Sequence, residues 1–197
     1  MRALTAQVLL GAGILLAFLP THTALAGEWH NSFGIGIIDV NDDAEDLYRS
    51  NLLAEGKDDS DFETALNWGY FYQPYYLYDS GFAYGLGVAT PTGIIAEEIL
   101  FTFPVHADVR YFFSPQSSFS IYVRAGIRYH FAFGEYVEGS KPGAIAGIGL
   151  LVTWNEFTKV GFEFTDDASE IEIRDVANNR TESVNLNQAI FSLIFAF

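Results

Sequence analysis

Residues 119–136 decide the fold of this chain, and they read FSIYVRAGIRYHFAFGEY. Every odd position from Phe119 to Phe133 is apolar, whereas the even positions include Arg124, Arg128 and His130. Side chains alternate between the two faces of a β-strand. A period of two over this length therefore predicts one long strand with an apolar face and a polar face.

The same pattern recurs along the chain and predicts eight strands. They are Trp29–Asp39, Phe62–Tyr72, Phe82–Ala89, Ile99–Phe113, Phe119–Tyr136, Ala144–Trp154, Thr158–Thr165 and Ala189–Phe197. The apolar face of such a strand turns to a core in a soluble sandwich and to lipid in a membrane barrel. After residue 26 no run is apolar and long enough to span a bilayer as a helix, so a closed sheet would hide the apolar residues.

The connections between these strands alternate in length. Residues 79–81, 114–118 and 155–157 are tight turns, residues 41–61 and 166–183 are long, and residues 90–97 and 137–143 are intermediate. Aromatic residues flank the tight turns, namely Tyr72, Tyr75, Tyr76, Tyr78, Tyr111, Phe113 and Trp154. Short periplasmic turns, longer external loops and interfacial aromatics are typical of outer-membrane barrels. We therefore expect an all-β, transmembrane, eight-stranded antiparallel up-and-down β-barrel.

The first 26 residues have the pattern of a secretory signal peptide. Arg2 precedes an apolar run from Val8 to Leu19, and the small residues that end at Ala26 match a cleavage site. We expect cleavage after Ala26, which leaves residues 27–197 as one barrel domain.

Composition narrows the possible chemistry. The formal net charge of −15 argues against nucleic-acid binding, which needs basic patches. The chain has no cysteine, which excludes disulfides, thiol nucleophiles and cysteine-ligated metals. The carboxylates of the two long loops could hold Ca²⁺ or Mg²⁺ ions that bridge lipopolysaccharide phosphates. They lack a calcium-loop spacing, so we interpret them as a solvated surface and expect neither a metal site nor a cofactor.

The chain ends in FSLIFAF, in which Phe191, Leu193, Phe195 and Phe197 occupy alternate positions. This strand resembles the terminal insertion signal of outer-membrane proteins. Together with the signal peptide and the eight strands, it makes the chain similar to the small outer-membrane β-barrel superfamily, which includes the porin-like A transmembrane domain and the X-type and W-type barrels. The resemblance implies escort by periplasmic chaperones, folding by the barrel-assembly machinery and location in the outer membrane of a Gram-negative bacterium.

The polar face of the predicted barrel carries a set of titratable residues. The inward set is Glu63, His106, Asp108, Arg110, Arg124, Arg128, His130, Lys159 and Glu163. Eight-stranded barrels are just wide enough for side chains to fill them, and buried charges must be paired or solvated. We interpret the set as a plug of paired polar side chains, and the alternative is a selective polar pathway or a proton-responsive site.

Three hypotheses about function remain. The first is a monomeric barrel with a structural or surface-interaction role, in contact with outer-membrane lipids and lipopolysaccharide. The second is a narrow porin-like or W-type channel for small or hydrophobic solutes. The third is a lipid A-modifying enzyme, with His130, Ser120 or Ser192, and Glu163 as the candidate residues. Because Ser120 and His130 lie about 30 Å apart along one strand, they cannot form a hydrogen bond, and we expect no enzyme activity.

Overall fold

The computed structural model describes residues 26–39, 42–57, 67–89, 92–94, 100–186 and 188–197. One helix, α1 (Asp42–Ala54), lies within these ranges. The strands within them are β1 (Gly27–Asp39), β2 (Asn67–Tyr78), β3 (Phe82–Ala89), β4 (Thr92–Ile94), β5 (Leu100–Phe113), β6 (Phe119–Phe133), β7 (Val137–Lys141), β8 (Gly143–Asn155), β9 (Thr158–Asp167), β10 (Glu170–Asp175), β11 (Arg180–Asn185) and β12 (Gln188–Ala196).

Eight of these strands form a closed antiparallel barrel, as predicted. Around the barrel the order is β1, β2, β3, β5, β6, β8, β9 and β12, and β12 pairs with β1 to close the ring. At the end of this seam the backbone amide and carbonyl groups of Asn31 and Phe197 exchange hydrogen bonds of 2.8 and 2.9 Å. Closure leaves no open sheet edge, so the strands satisfy one another's backbone groups without water.

The two faces of the barrel strands point as they do in a membrane barrel. On β6 the outward side chains of Ile127 and Phe133 are 64% and 61% exposed, whereas the inward side chains of Tyr122 and Arg124 are buried. A belt of exposed apolar side chains therefore surrounds a polar lumen, which is the reverse of a soluble sandwich. Within the described residues, no helix is long and apolar enough to span a bilayer.

The three tight turns lie together at one end of the barrel, which we call the turn end. They join β2 to β3, β5 to β6 and β8 to β9. The first turn needs Gly81, whose φ of +88° is unfavourable for other residues and whose added Cβ would lie 2.4 Å from the carbonyl oxygen of Phe112. The rings of Trp29, Tyr76 and Tyr84 cluster beside this turn. In outer-membrane barrels such turns face the periplasm.

Strand β2 differs from its prediction. The predicted strand was Phe62–Tyr72, but the strand runs from Asn67 to Tyr78 and pairs with β1 as far as Gly27 opposite Tyr78. Residues 58–66 lie outside the described ranges. Pro74 lies inside this strand, and because proline has no amide hydrogen it cannot donate to a neighbouring strand. The pairing of β2 with β3 is interrupted at this point, between Tyr72 and Tyr75.

Described parts of the connections at the opposite end fold together into a small unit, which we call the cap. It consists of α1, within the predicted loop 41–61, and a sheet of β7, β10 and β11, within the predicted connections 137–143 and 166–183 and just beyond. Its buried core is made of Ala44, Tyr48, Leu52, Tyr136, Ile171, Ile173, Val184 and Leu186. Ala44, Tyr48 and Leu52 are spaced four residues apart and therefore share one face of α1. This end carries long connections, as predicted, and the described parts listed above are folded.

Candidate functional site

The lumen of the barrel holds most of the titratable residues that the sequence placed there. His106, Asp108, Arg110, Arg124, Arg128, His130 and Glu163 all point inward from β5, β6 and β9, and each is at most 6% exposed. They form two groups at different heights, which we call the turn-side cluster and the cap-side cluster.

The turn-side cluster consists of Gln73, Asp108, Arg110, Arg124 and Glu163. Arg124 lies at its centre, since its guanidinium contacts the carboxylate of Asp108 and lies 2.7 Å from Glu163 Oε1. Arg110 Nη2 lies 3.2 Å from Asp108 Oδ2 and donates a hydrogen bond of 2.5 Å to Gln73 Oε1. The carboxylates of this cluster are therefore paired with arginines in a space closed to solvent.

The cap-side cluster consists of Arg128, His130, Asp167 and Ser169. Asp167 Oδ2 lies 3.0 Å from Arg128 Nη1 and 2.7 Å from His130 Nε2. Its other carboxylate oxygen accepts hydrogen bonds from the hydroxyl and the backbone amide of Ser169, at 2.6 and 3.0 Å. Asp167 thus links β6 to Ser169, which directly precedes strand β10 of the cap.

Asp167 was missing from the predicted set. The predicted strand ended at Thr165, whereas the same strand, β9, extends to Asp167. The inward alternation of Gly161, Glu163 and Thr165 continues to Asp167, and this signal could have identified it.

The buried charges of the lumen balance one another. Arg110, Arg124 and Arg128 face Asp108, Glu163 and Asp167, so three positive groups oppose three negative ones when both histidines are neutral. Buried charges are tolerated when they are paired and hydrogen-bonded. A cavity of about 20 Å³ lies between the clusters, against His106, Arg128 and Ser192, and it has room for about one water molecule.

An aromatic layer, which we call the floor, separates the turn-side cluster from the turn end. The rings of Tyr75 and Phe112 stack at 5.7 Å, and Phe112 packs against Tyr122 at 4.8 Å. The guanidinium of Arg110 lies 4.9 Å from the centroid of the Tyr75 ring. Gly149 makes room for this layer, because an added Cβ would lie 2.1 Å from the Tyr122 ring.

Two structures border these layers at the opposite ends of the barrel. Beyond the floor, a vestibule of about 480 Å³ opens at the turn end. At the other end the core of the cap packs against Ala132, which follows the completely buried His130 by two residues on β6. Asn51 fastens α1 to the cap sheet, since it donates to the carbonyl oxygen of Arg174 at 2.6 Å and accepts from the amide of Val176 at 2.8 Å.

Comparison with solved structures identifies the fold. The chain is similar to the outer membrane protein OprG of Pseudomonas aeruginosa, at 13% identity over 88% of this chain and 97% of that chain, with a TM-score of 0.57. This chain has the fold of a small eight-stranded outer-membrane β-barrel. The chain is also similar to Neisserial surface protein A, at 10% identity over 87% of this chain and 97% of that chain, with a TM-score of 0.56. It is similar to Escherichia coli outer membrane protein W at 16% identity over 89% of this chain and 99% of that chain, with a TM-score of 0.51. No family model and no curated protein match the sequence.

The fold and the apolar belt together place this barrel in the outer membrane of a Gram-negative bacterium. An outward apolar belt, tight turns at one end and longer connections at the other are the features that such barrels share. The solved structures that resemble the chain are different outer-membrane proteins. At these low identities the similarity defines the fold and does not define a role.

Among the described residues of the predicted lumen set, His106 lies beside the turn-side cluster, with its Nε2 3.9 Å from Asp108 Oδ2, and Lys159 lies outside both clusters. Lys159 is at the turn end, where its ammonium donates hydrogen bonds to the carbonyl oxygens of Pro115 at 2.8 Å and Ser117 at 3.3 Å. It lies there because it comes directly after the β8–β9 turn, below the floor. Glu63 lies outside the described residues.

The candidate catalytic residues are held apart by other partners. The hydroxyl of Ser120 donates to the carbonyl oxygen of Ser114 at 2.9 Å, while His130 binds Asp167 and Glu163 binds Arg124. Among these described side chains, no hydrogen bond joins His130 to Ser120, Ser192 or Glu163. The arrangement lacks the contact between nucleophile and base that acyl transfer requires.

Proposed function

We propose that this protein is a closed outer-membrane barrel with a structural or surface-interaction role, whose lumen is plugged by paired polar side chains. The balanced ion pairs of the lumen carry this proposal. Arg124 of β6 bridges Asp108 of β5 and Glu163 of β9 across the lumen side of these strands, so a solute could pass only after these pairs had separated. Separation would leave buried charges without partners, which costs several kcal/mol.

The layers on either side of the clusters support the same role. The floor lies between the turn-side cluster and the turn end, and the core of the cap packs against Ala132 near the other end. A folded cap with a buried core presents a fixed external surface, unlike a set of solvated loops. We propose that this surface, together with the belt, contacts lipopolysaccharide and external partners.

Planar-bilayer recordings test the plug. We expect the purified barrel to produce no discrete conductance steps in neutral potassium chloride. The double variant Arg124→Ala/Glu163→Ala removes a pair of opposite charges from the lumen. A triple variant adds Phe112→Ala to these two substitutions and removes one ring of the floor. We expect the triple variant to conduct. Discrete steps in the wild type would instead support the channel hypothesis.

We also propose that the barrel is not an enzyme. The partners of His130 and Glu163 support this proposal, because each is already engaged by a charged group of the lumen. Mass spectrometry of lipid A with and without expression provides the test. We expect an unchanged acyl pattern, and an altered pattern would contradict the proposal.

For assembly, we propose that residues 1–26 are removed and that periplasmic chaperones and the barrel-assembly machinery then insert a monomer. We also propose that the alternate residues of the last strand form the insertion signal, namely Phe191, Leu193, Phe195 and Phe197. The pairing of Phe197 with Asn31 at the closing seam supports a role for the last residue. Deletion of Phe197 should lower the assembled yield and leave export intact. Normal assembly of the deletion variant would refute this role.

A further inference from the structure

The vestibule at the turn end has the dimensions of a small-molecule site. Its volume is about 480 Å³, within the range of ordinary ligand pockets. The buried side chains of Tyr75, Phe112 and Leu151 line its inner end, so it is blind toward the lumen. A ligand would therefore enter from the periplasm and remain on the periplasmic side of the plug.

Aromatic rings supply the inner surface of the vestibule. His30 stacks on Tyr75 at 5.3 Å, and Tyr75 stacks in turn on Phe112. Phe157 contributes a further ring nearer the mouth. The faces of Tyr75 are covered by His30, Phe112 and the guanidinium of Arg110, so the exposed ring of Phe157 is the one whose partly negative face can attract an ammonium ion.

The charges at the mouth favour a cation as well. Asp79 lies in the β2–β3 turn and Glu156 in the β8–β9 turn, on opposite sides of the ring of strands. Neither carboxylate makes an ion pair within the described part of the chain. Both therefore remain available to a positively charged ligand.

The other charged groups of the vestibule are already engaged. Glu28 Oε1 lies 3.1 Å from His30 Nε2. Lys159 is the only lysine or arginine among the described residues that line the vestibule, and its ammonium is hydrogen-bonded to carbonyl oxygens of the β5–β6 turn. With His30 neutral, the carboxylates of Glu28, Asp79 and Glu156 outnumber two ammonium groups, that of Lys159 and the α-ammonium that removal of residues 1–26 leaves at Gly27 beside Asp79. The vestibule therefore carries a net negative charge and repels anions.

We propose that the vestibule is a binding site for small organic ammonium ions of the periplasm. The apolar body of the ligand packs against Leu151 and the aromatic rings, and its charge lies between Asp79 and Glu156. The site belongs to the periplasmic face and works whether or not the lumen conducts.

Titration of the mature barrel with benzyltrimethylammonium tests this proposal. Octyl glucoside micelles are suitable because their headgroup is uncharged and contains no ammonium. The readout is the NMR chemical shift of backbone amides in residues 79–81 and 155–159. Benzyl alcohol and benzenesulfonate serve as the neutral and the anionic probes of similar size.

We expect saturable shifts with the cation, weaker ones with the neutral probe and none with the anion. The double variant Asp79→Asn/Glu156→Gln should raise the Kd of the cation about tenfold, because it removes two charge pairs. Its matched control, Glu135→Gln/Glu138→Gln, makes the same charge change at the cap end and should leave the Kd unaltered. Heat-modifiable mobility verifies that each variant is folded.

Three results would overturn the proposal. They are a linear response to the cation without saturation, binding of benzenesulfonate at the same amides with equal affinity, and an unchanged Kd in the Asp79→Asn/Glu156→Gln variant.

Discussion

The lumen and the cap use the same strand alternation for opposite purposes. In the barrel, Arg124 and Arg128 of β6 are buried while Ile127 is exposed; in the cap, Ile171 and Ile173 of β10 are buried while Arg174 is exposed. The surroundings decide the direction, because lipid covers the belt of the barrel and water covers the cap. Charge pairing therefore holds the barrel interior together, and apolar packing holds the cap together.

The largest effect is expected where a buried ion pair is broken. Arg124→Met leaves Asp108 and Glu163 without their shared partner and should destabilise the barrel by about 3–5 kcal/mol. Urea unfolding in lipid vesicles, followed by tryptophan fluorescence, measures the loss. Arg180→Met is the matched control, since Arg180 is largely exposed beside Glu182 and should contribute less than about 1 kcal/mol. Equal effects of the two substitutions would contradict the assignment of a closed lumen.

A smaller and local effect is expected in the core of the cap. Ile173→Ala creates a cavity in this core and should cost about 2–4 kcal/mol. Because the cap has its own core, we expect faster protease cleavage within the cap, in residues 134–142 and 168–186, while the barrel retains its heat-modifiable mobility. Loss of that mobility would show that the cap and the barrel fold as one unit.

Next in size is the hydrogen-bonded attachment of α1. Asn51→Ala leaves the carbonyl of Arg174 and the amide of Val176 without their side-chain partner, at a cost of about 1–3 kcal/mol. Hydrogen exchange of the Val176 amide should accelerate in this variant. Ser50→Ala, on the exposed side of the same helix, should not change it.

The smallest effect concerns the pH dependence of the cap. Burial and the hydrogen bond to Glu55 raise the pKa of the Tyr136 phenol above its usual range. The unfolded tyrosine ionises near pH 10, so this contribution to stability is complete below about pH 10 and is lost as the pH rises further. Tyr136→Phe should cost about 1 kcal/mol at neutral pH. Protease resistance of the cap should then fall less steeply above pH 10 than in the wild type.

The sequence predicted the barrel well because alternation is a local signal. Strand β6 was predicted from Phe119 to Tyr136 and ends at Phe133. The predicted bounds of β2 were wrong because aromatic residues occupy both faces of the segment from Tyr70 to Tyr78. Apolar and polar residues do not alternate there, so the pattern does not show where the strand ends. Register there is determined by pairing with β1, which is not local.

The cap could not be recognised with equal ease. Acidic residues between Asp42 and Glu55 favoured a solvated loop, yet Ala44, Tyr48 and Leu52 recur at helical spacing and face Ile171 and Ile173. Only the fold brings these two connections together. For the lumen, the charged residue types were visible in the sequence, whereas their partners depend on strand register, as Asp167 and Lys159 show.

Accessibility of single cysteines tests the closed lumen most directly, because the chain contains no cysteine of its own. Ser192→Cys places a thiol in the buried cavity between the clusters, Thr153→Cys in the vestibule and Ala177→Cys on the exposed cap. In detergent micelles, which leave both ends of the barrel open to solvent, we expect a charged methanethiosulfonate reagent to modify Thr153→Cys and Ala177→Cys within minutes and to leave Ser192→Cys unmodified. Modification of Ser192→Cys at a comparable rate would show that the lumen is open.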